Sequence, residues 1–539
     1  MSTHNHYDAI IIGAGVSGLY QLHRLREAGY SVRLYEAADG VGGTWYWNRY
    51  PGCRFDSESY TYAYSFSEEL LEEWDWSEHF AGQPETLAYL NHVADKFALR
   101  EDIQFNTRIN SAIYDEDNSS WSVEGENGER ASSQFLIMAT GILSAVQFPD
   151  IPGIDDFKGE HFHTARWPHD PNSLGGDKSV YTGKRVAVIG AGASAVQAIP
   201  HIAADAQDLV VFQRTANWAS PLFNSAISAA EQPALKASYP EIFKACDTTA
   251  GAFVHQFDPR SIYDVSADER NALFEKLYKE RGFAIWLSNF PEVMTDMKAN
   301  KLLSDFMAAK IRQRVDDPAI ADKLVPGAHG FGQRRVPMET HYYESYNRDN
   351  VHLVDLNKTP IESITATGVN TSDREYEFDV IIYATGFDAG TGAISRIDVR
   401  GTDGQSIKEK WSQELRTYMG MQVEGFPNMF IHIGPHAAFC NIPRCAQVSV
   451  DWVSDLIAHM REQKLASVVP TEAAEIAWTA HAVEEANKTL LSKTNSWIMG
   501  DNVAGKPRAL LLYAGPTPLF RKRINECAAN DYEGFSFSQ

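Results

Sequence analysis

Cysteine is scarce: only five residues, odd in number and dispersed at positions 53, 246, 440, 445 and 527 of a 539-residue chain. Cys440 and Cys445 lie close, but no second Cys/His pair joins them, so no zinc-type metal site is expected. Buried free thiols in a reducing cytoplasm are the default reading. Positive charge is also short, with 48 Lys and Arg against 71 Asp and Glu and a net charge of −23. That balance opposes a nucleic-acid partner, whose backbone is gripped by Lys and Arg, and it disfavours anionic lipid. A local basic patch would serve a small anion rather than a polymer. No apolar run approaches the ~20 residues needed to span a bilayer. The first eight residues have no basic region ahead of an apolar stretch, so no secretory signal is expected. A cytoplasmic protein with neither nucleic-acid nor membrane partners is the reading.

What the chain has instead is two copies of one nucleotide-binding pattern. The length allows two or three domains, because single cores stop growing at roughly 250–300 residues. Ala9-Ile10-Ile11-Ile12 is a short apolar run typical of a buried parallel strand, followed by Gly13-x-Gly15-x-Ser17-Gly18. Leu19, Leu22 and Leu25 then mark a helical face, residues 32–35 give the next strand, and Glu36 falls 21 residues past Gly15. Strand, glycine turn, helix, strand and terminal acid make a dinucleotide site, with the pyrophosphate on the helix N-terminus and the acid on the ribose. The pattern recurs at Gly190-x-Gly192-Ala193-Ser194-Ala195 after Val186-Ala187-Val188-Ile189. Here the informative position is Gln213-Arg214-Thr215, with Arg214 22 residues past Gly192. An acid would repel a 2′-phosphate, whereas a guanidinium can hold it bidentately. The first site therefore reads as that of FAD and the second as that of NADPH.

Two apolar strands each end in Ala-Thr-Gly, at residues 139–141 and 384–386, and each reads as the strand returning to its own nucleotide sheet. The expected architecture is α/β: two Rossmann-like domains, with the NADPH domain inserted in the FAD domain. The boundaries are 1–142 for the first part of the FAD domain, 143–379 for the NADPH domain, and 380–539 for the rest of the FAD domain. Residues 222–334 read as a helical subdomain over the substrate side. Ser266-x-x-Glu269 is a capping box, Leu273/Leu277 and Phe274/Tyr278 follow at i,i+4, and Leu302, Phe306 and Ile311 make a second apolar face. Its aromatics read as packing rather than pocket.

Between the two glycine loops stands Phe157-x-Gly159-x-x-x-His163-x-x-x-Trp167-Pro168. Each residue alone has an ordinary reading, as core, turn or satisfied polar group. Together, at this place, they resemble the fingerprint of the type I Baeyer–Villiger monooxygenases. The resemblance extends to Gly42-Gly43-Thr44-Trp45, four residues, Tyr50-Pro51-Gly52, three residues, Asp56. It implies a segment along the flavin, with Thr44, Trp45 and Tyr62 at its wall and Asp56 near the ring. Arg335, in Arg334-Arg335-Val336-Pro337-Met338-Glu339, matches the family's catalytic arginine, and Arg334 matches the neighbouring base that helps hold the NADPH phosphate. Trp497, within Ser496–Pro507, matches the residue that folds over the site from a mobile loop (about 490–507), with Gly500 and Gly505 as hinges. Residues 440–443 are placed at the ketone pocket only by their position after Gly434-Pro435-His436.

The resemblance implies that NADPH reduces FAD, O2 adds to the reduced flavin, and a peroxide anion favoured by the Arg335 cation, which Asp56 orients and partly balances, attacks a ketone. A tetrahedral adduct then collapses to an ester or lactone. His163 is read as part of the link between domains rather than as a catalytic imidazole. The wording of the motifs is nearest to members that accept cyclic and terpenoid-like ketones. Three alternatives stand beside this one: a flavin N- or S-oxygenating monooxygenase, a non-catalytic FAD/NADPH redox sensor, and, disfavoured because no Cys-x(2–4)-Cys pair is expected near either site, a disulfide oxidoreductase. A small-molecule ketone and O2 are the expected partners, and a monomer or weak homodimer the expected state.

Overall fold

A computed structural model describes residues 5–170, 172–438 and 440–539. Its two large sheets each carry one glycine loop. In the first, Asn5–Ile12 lies between Arg130–Met138 and Val32–Tyr35, parallel to both. Ile103–Gln104 extends one edge, and Met429–Ile431 returns to pair with Arg130–Met138. Ile109–Asp115 and Ser120–Gly125 form an antiparallel excursion, capped by Asp398–Arg400. The second sheet runs in the order Val351–Asp355, Asp208–Gln213, Arg185–Ile189, Val380–Tyr383, Glu160–His163, all parallel. Helices cover these strands, so Ala9, Ile10, Ile11, Val186, Ala187 and Val188 are almost wholly buried, as their continuous apolar runs require.

The registers explain the two Ala-Thr-Gly endings. Ile12 is paired with Met138, and Ala139 N–H donates to the Ile12 carbonyl at 3.0 Å. Ile189 is paired with Tyr383, and Ala384 N–H donates to the Ile189 carbonyl at 2.9 Å. A Cβ on Gly13 would meet the Ala139 carbonyl oxygen at 2.5 Å, and one on Gly190 the Ala384 oxygen at 2.4 Å. Only glycine fits where each loop leaves its strand. One boundary needs correction. Val380–Tyr383 belongs to the second sheet, so the chain returns towards the first after Gly386 rather than at residue 380.

Between Ser220–Pro221 and Met338–Glu339, which pair as short parallel strands, the chain is helical. Ser266 and Glu269 form the reciprocal capping box of Ala267–Tyr278. In Met297–Arg314 the inward face is Leu303, Met307 and Ile311; Leu302 and Phe306 are only half buried, a one-residue rotation of the expected stripe. Cys440 and Cys445 are paired as a disulfide, against the expectation of free thiols, while Cys53, Cys246 and Cys527 are free and buried. Among the described residues no helix is long and apolar enough to cross a membrane.

Buried imidazoles give the fold an acid limit. Burial pushes His432 down to about 3, and His163, His329 and His436 to about 4, from a usual 6.5. His432 is enclosed between Ser449 Oγ (2.8 Å) and Gln21 Oε1 (2.9 Å), tying helix Ile442–Gln463 to helix Val16–Glu27. Below 6.5 the unfolded chain takes up protons that these rings refuse in the folded state, so stability falls as pH drops from about 6.5 towards 4. Thermal melts across that interval should show a steadily decreasing Tm; a flat profile would mean the rings do not stay neutral.

Candidate active site

Both glycine loops open onto bare helix N-termini. Helix Val16–Glu27 begins after Gly15 and helix Ala193–Asp205 after Gly192, neither with a side-chain cap. Ser17 and Gly18 lie in the first turn of one, Ala193 and Ser194 in that of the other. A Cβ on Gly18 would fall 1.9 Å from the Gly13 carbonyl oxygen, so the helix packs directly on the turn. A Cβ on Gly192 would meet nothing within 4 Å, leaving that turn's N–H groups open to an anion. Glu36 is buried and accepts the N–H groups of Ala14 (2.7 Å) and Ala38 (2.8 Å). It is thereby aimed across the first loop, with lone pairs left for ribose hydroxyls. These cradles fit two dinucleotides.

Gly42 and Gly43 roof the first loop: Gly42 N–H donates to the Ala14 carbonyl, and Gly43 stands against Gly15. A short helix, Thr44–Trp47, follows, with Thr44 exposed and Trp45 buried. Trp45 Nε1 donates to Tyr62 Oη at 3.1 Å, and Phe55 stacks on Tyr62 at 4.4 Å and meets Trp45 edge-on. Trp45 and Tyr62 thus form one aromatic wall with Phe55, which sequence reasoning missed because a single Phe carries no motif.

Asp56 is the meeting point of the two units. Arg335 Nη2 lies 2.6 Å from Asp56 Oδ2, and that oxygen also accepts the Met338 N–H at 3.1 Å. Its other oxygen accepts Gln197 Nε2 at 3.1 Å, from the helix that follows the second glycine loop. Tyr50 Oη donates to Gln197 Oε1 at 2.8 Å. The carboxylate is fully buried, whereas the guanidinium is 31% exposed and its Nη1 is buried without a partner. One face of the cation is therefore neutralised and another is left to act on something else. Behind it, Arg314 Nη1 lies 2.6 Å from Glu339 Oε1 and its Nε 2.6 Å from Glu344 Oε1, while Glu339 Oε2 accepts the Tyr342 N–H. This buried brace pins Met338–Glu339, the strand that follows Arg335. Gln197, Arg314 and Glu339 carry no motif of their own, so only the folded chain reveals them.

Arg214 is exposed at the end of Asp208–Gln213, and Asn357 Nδ2 donates to its carbonyl; Thr215, half-buried, follows it. Arg334 is close enough for Arg214 to lower its pKa, second to burial as a cause, and its Nε is buried without a partner. Two cations in one place suit a doubly charged phosphate. Trp497 begins a 3-10 turn, Trp497–Met499, ended by Gly500 in a left-handed conformation (φ 73°). Its loop is fastened to the segment after the second Ala-Thr-Gly: Asn502 Nδ2 donates to Phe387 O at 2.7 Å, and Lys506 pairs with Asp388 at 2.6 Å. Phe387 in turn meets His163 edge-on at 5.5 Å. His163 Nδ1 accepts the Ala165 N–H, and Arg166 lies over Trp47 at 4.3 Å. The fingerprint thus includes the edge strand of the second sheet and touches both the first unit and the Phe387 segment to which the loop is fastened.

Comparison with known proteins agrees with this geometry. The flavin-binding monooxygenase-like family matches residues 7–226. Over 98% of both chains the protein is 48% identical to 2-oxo-Δ3-4,5,5-trimethylcyclopentenylacetyl-CoA monooxygenase of Pseudomonas putida. It is 44% identical to acetone monooxygenase (methyl acetate-forming) of Gordonia sp. (strain TY-5), over 98% of this chain and 99% of that one. It is also 39% identical to phenazine N-monooxygenase PhzNO1 of Lysobacter antibioticus, over 98% and 97%. The crystal structure of OTEMO complexed with FAD and NADP superposes with a TM-score of 0.96 at 47% identity, covering 99% of this chain and all of that one. With glycine loops, aromatic wall and the Arg335–Asp56 pair in place, and with relatives that match it over nearly its whole length, the chain belongs to the Baeyer–Villiger monooxygenases.

Proposed function

We propose that the protein is an NADPH- and O2-dependent flavoprotein monooxygenase that inserts one oxygen atom beside the carbonyl of a cyclic ketone. The balance is ketone, O2, NADPH and a proton to ester or lactone, NADP+ and water. Bound FAD supplies the activation of O2, with electrons from NADPH. The observation that carries the reading is the Arg335–Asp56 pair, a cation half-neutralised by a buried carboxylate at the junction of the two nucleotide units.

Each residue then has a task. Arg335 presents its unpaired N–H groups to the negative charge that develops on oxygen during carbon–oxygen bond formation, where a preorganised donor acts most strongly. Asp56 fixes the guanidinium and prevents an unbalanced charge. Gly13, Gly15, Ser17, Gly18 and Glu36 hold FAD, against the wall of Thr44, Trp45 and Tyr62. Gly190, Gly192, Ala193 and Ser194 hold the NADPH pyrophosphate, and Arg214, Thr215 and Arg334 its 2′-phosphate. Trp497 and its loop exclude water, which would otherwise screen Arg335 and divert oxygen to hydrogen peroxide. The relatives named for a cyclopentenyl ketone and for formation of methyl acetate support ketone oxygenation.

N-oxygenation is the second reading, favoured by the likeness to the phenazine N-monooxygenase. The test is anaerobic reduction of the FAD-loaded enzyme with NADPH, followed by O2 and a panel of cyclic ketones, sulfides and heteroaromatic amines. Ester or lactone formed one per NADPH is the expected result. N-oxide or sulfoxide with no ester from any ketone would overturn the reading.

A further inference from the structure

Three of the five cysteines stand alone and buried, and burial pushes the thiols of Cys53 and Cys246 up to about 12 and that of Cys527 to about 11. Thiols held protonated in this way are inert. Cys440 and Cys445 are placed differently. Helix Ile442–Gln463 starts from Asn441, so the two flank its N-terminus, one residue before the cap and one turn after it. A pair of apolar side chains often meets at these two positions and fixes the angle at which the chain enters a helix. Here the contact is a covalent bond, between Cα atoms 6.3 Å apart, inside the ordinary span of a disulfide. The helix dipole and the buried guanidinium of the adjacent Arg444, whose Nε has no partner, both favour a thiolate at this end when the bond is open.

The bridge reaches the site through the residue it encloses. Asn441 does not cap its own helix with its side chain. Its Nδ2 donates instead to the Thr61 carbonyl and Oγ1, at 3.1 and 2.9 Å, and its N–H donates to the Gly251 carbonyl at 3.1 Å. Cys445 N–H in turn donates to the Asn441 carbonyl at 3.0 Å. Thr61 ends the turn Ser59–Thr61 and leads directly into Tyr62, whose hydroxyl accepts Trp45 Nε1 in the aromatic wall. Two hydrogen-bonded steps thus join the bridged turn to the wall assigned to the flavin. Opening the bond obliges the sulfurs to separate from bonding to van der Waals distance, so at least one side chain must turn. A small apolar cavity of about 10 Å3, whose lining includes Met421, Ile433, Cys445 and Phe520, leaves slack on the Cys445 side.

Resting on the ketone reading above, we infer that Cys440 and Cys445 are a reversible oxidation site for hydrogen peroxide released when activated oxygen meets no ketone, and that the bond so formed holds the ketone side in its binding shape. Both residues are nearly buried, which favours peroxide made inside the protein over oxidants in bulk solvent. One thiol, as its thiolate, attacks a peroxide oxygen and breaks the O–O bond, giving a sulfenic acid and hydroxide. The hydroxide takes up the proton that the thiol shed. The second thiol then attacks the oxidised sulfur and expels water. Two sulfurs give up one electron each, the peroxide takes both, and two waters leave. A dithiol reverses the step by exchange. Oxygen lost as peroxide therefore tightens the site against further loss.

The experiment starts from FAD-loaded enzyme reduced with dithiothreitol and desalted without air. One part turns over with NADPH and O2 but no ketone, and another receives NADPH alone. Thiols counted after denaturation should be five in the anaerobic part and three after turnover, with Cys440 and Cys445 joined in the peptide mass spectrum. Initial rates with a cyclic ketone should give a KM about three- to tenfold higher for the reduced enzyme, the cost of re-ordering one or two side chains on binding, with kcat changed less. Five thiols after turnover, or three before it, would overturn the inference, and so would equal KM values in the two states. Cys440→Ser/Cys445→Ser should hold a single KM through both treatments; a shift as large as that of wild type would place the control elsewhere. Ester absent in both states counts against the functional reading alone, because the thiol count after excess added peroxide decides the oxidation site without it.

Discussion

Arg335→Ala is expected to keep oxidising NADPH while forming ester at least about 100-fold more slowly, with hydrogen peroxide making up the missing product. The size follows from removing a preorganised donor aimed at a developing oxyanion, which typically costs two to three orders of magnitude. The selectivity follows from position. Arg335 is paired with Asp56 at the domain junction, while the Glu36 cradle and the Gly192 turn do not depend on its side chain. Arg335→Lys should recover little, because an ammonium cannot both grip Asp56 Oδ2 and present a second planar N–H outward. NADPH oxidation, peroxide and ester measured together settle it. Ester formation within tenfold of wild type would remove Arg335 from the chemistry.

The second large effect concerns the choice of reductant. Arg214→Ala should raise the Kd for NADPH by about 10- to 100-fold, the range expected for hydrogen bonds to a charged phosphate, and leave NADH nearly unchanged. Arg214 is exposed, but it stands close to the half-buried Arg334, whose own charge its proximity disfavours. The two cations repel each other, with Asp501 as a partial counter-charge on Arg334, and a 2′-phosphate would relieve what remains. Rapid-reaction titration of flavin reduction with each nucleotide measures both constants. An equal loss for NADPH and NADH would show that Arg214 supports the fold of the site and does not read the phosphate.

Much of this was legible in the linear chain because the informative residues sit at fixed offsets along single elements. Gly13, Gly15 and Glu36 mark one β-turn-α-β unit, and Gly190, Gly192 and Arg214 another, so local spacing was enough. The two Ala-Thr-Gly endings mark the right strands, but the second strand lies on the other side of the expected boundary. An apolar run such as residues 380–383 does not state which sheet it joins; only its pairing with Arg185–Ile189 does. In Met297–Arg314 the expected Ile311 does face inward, but Leu302, Leu303, Phe306 and Met307 offer two adjacent apolar stripes, of which Leu303 and Met307 are the buried one. Gln197, Arg314 and Glu339 were invisible for a deeper reason. Gln197 lies 141 residues from Asp56, and Arg314 lies 25 and 30 residues from Glu339 and Glu344, and neither Gln nor a lone ion pair has a chemical signature in sequence. The pairing of Cys440 with Cys445 was likewise beyond what spacing alone decides.

Asp56 receives Gln197, Met338 N–H and Arg335, all three from the far side of the junction, while its own backbone belongs to the near side. A swing of one nucleotide unit against the other cannot loosen these contacts one at a time; it strips the carboxylate of every partner in a single movement. Were the two halves to part, the carboxylate would let go of the guanidinium at the same moment, as a disengaged clutch frees its shaft.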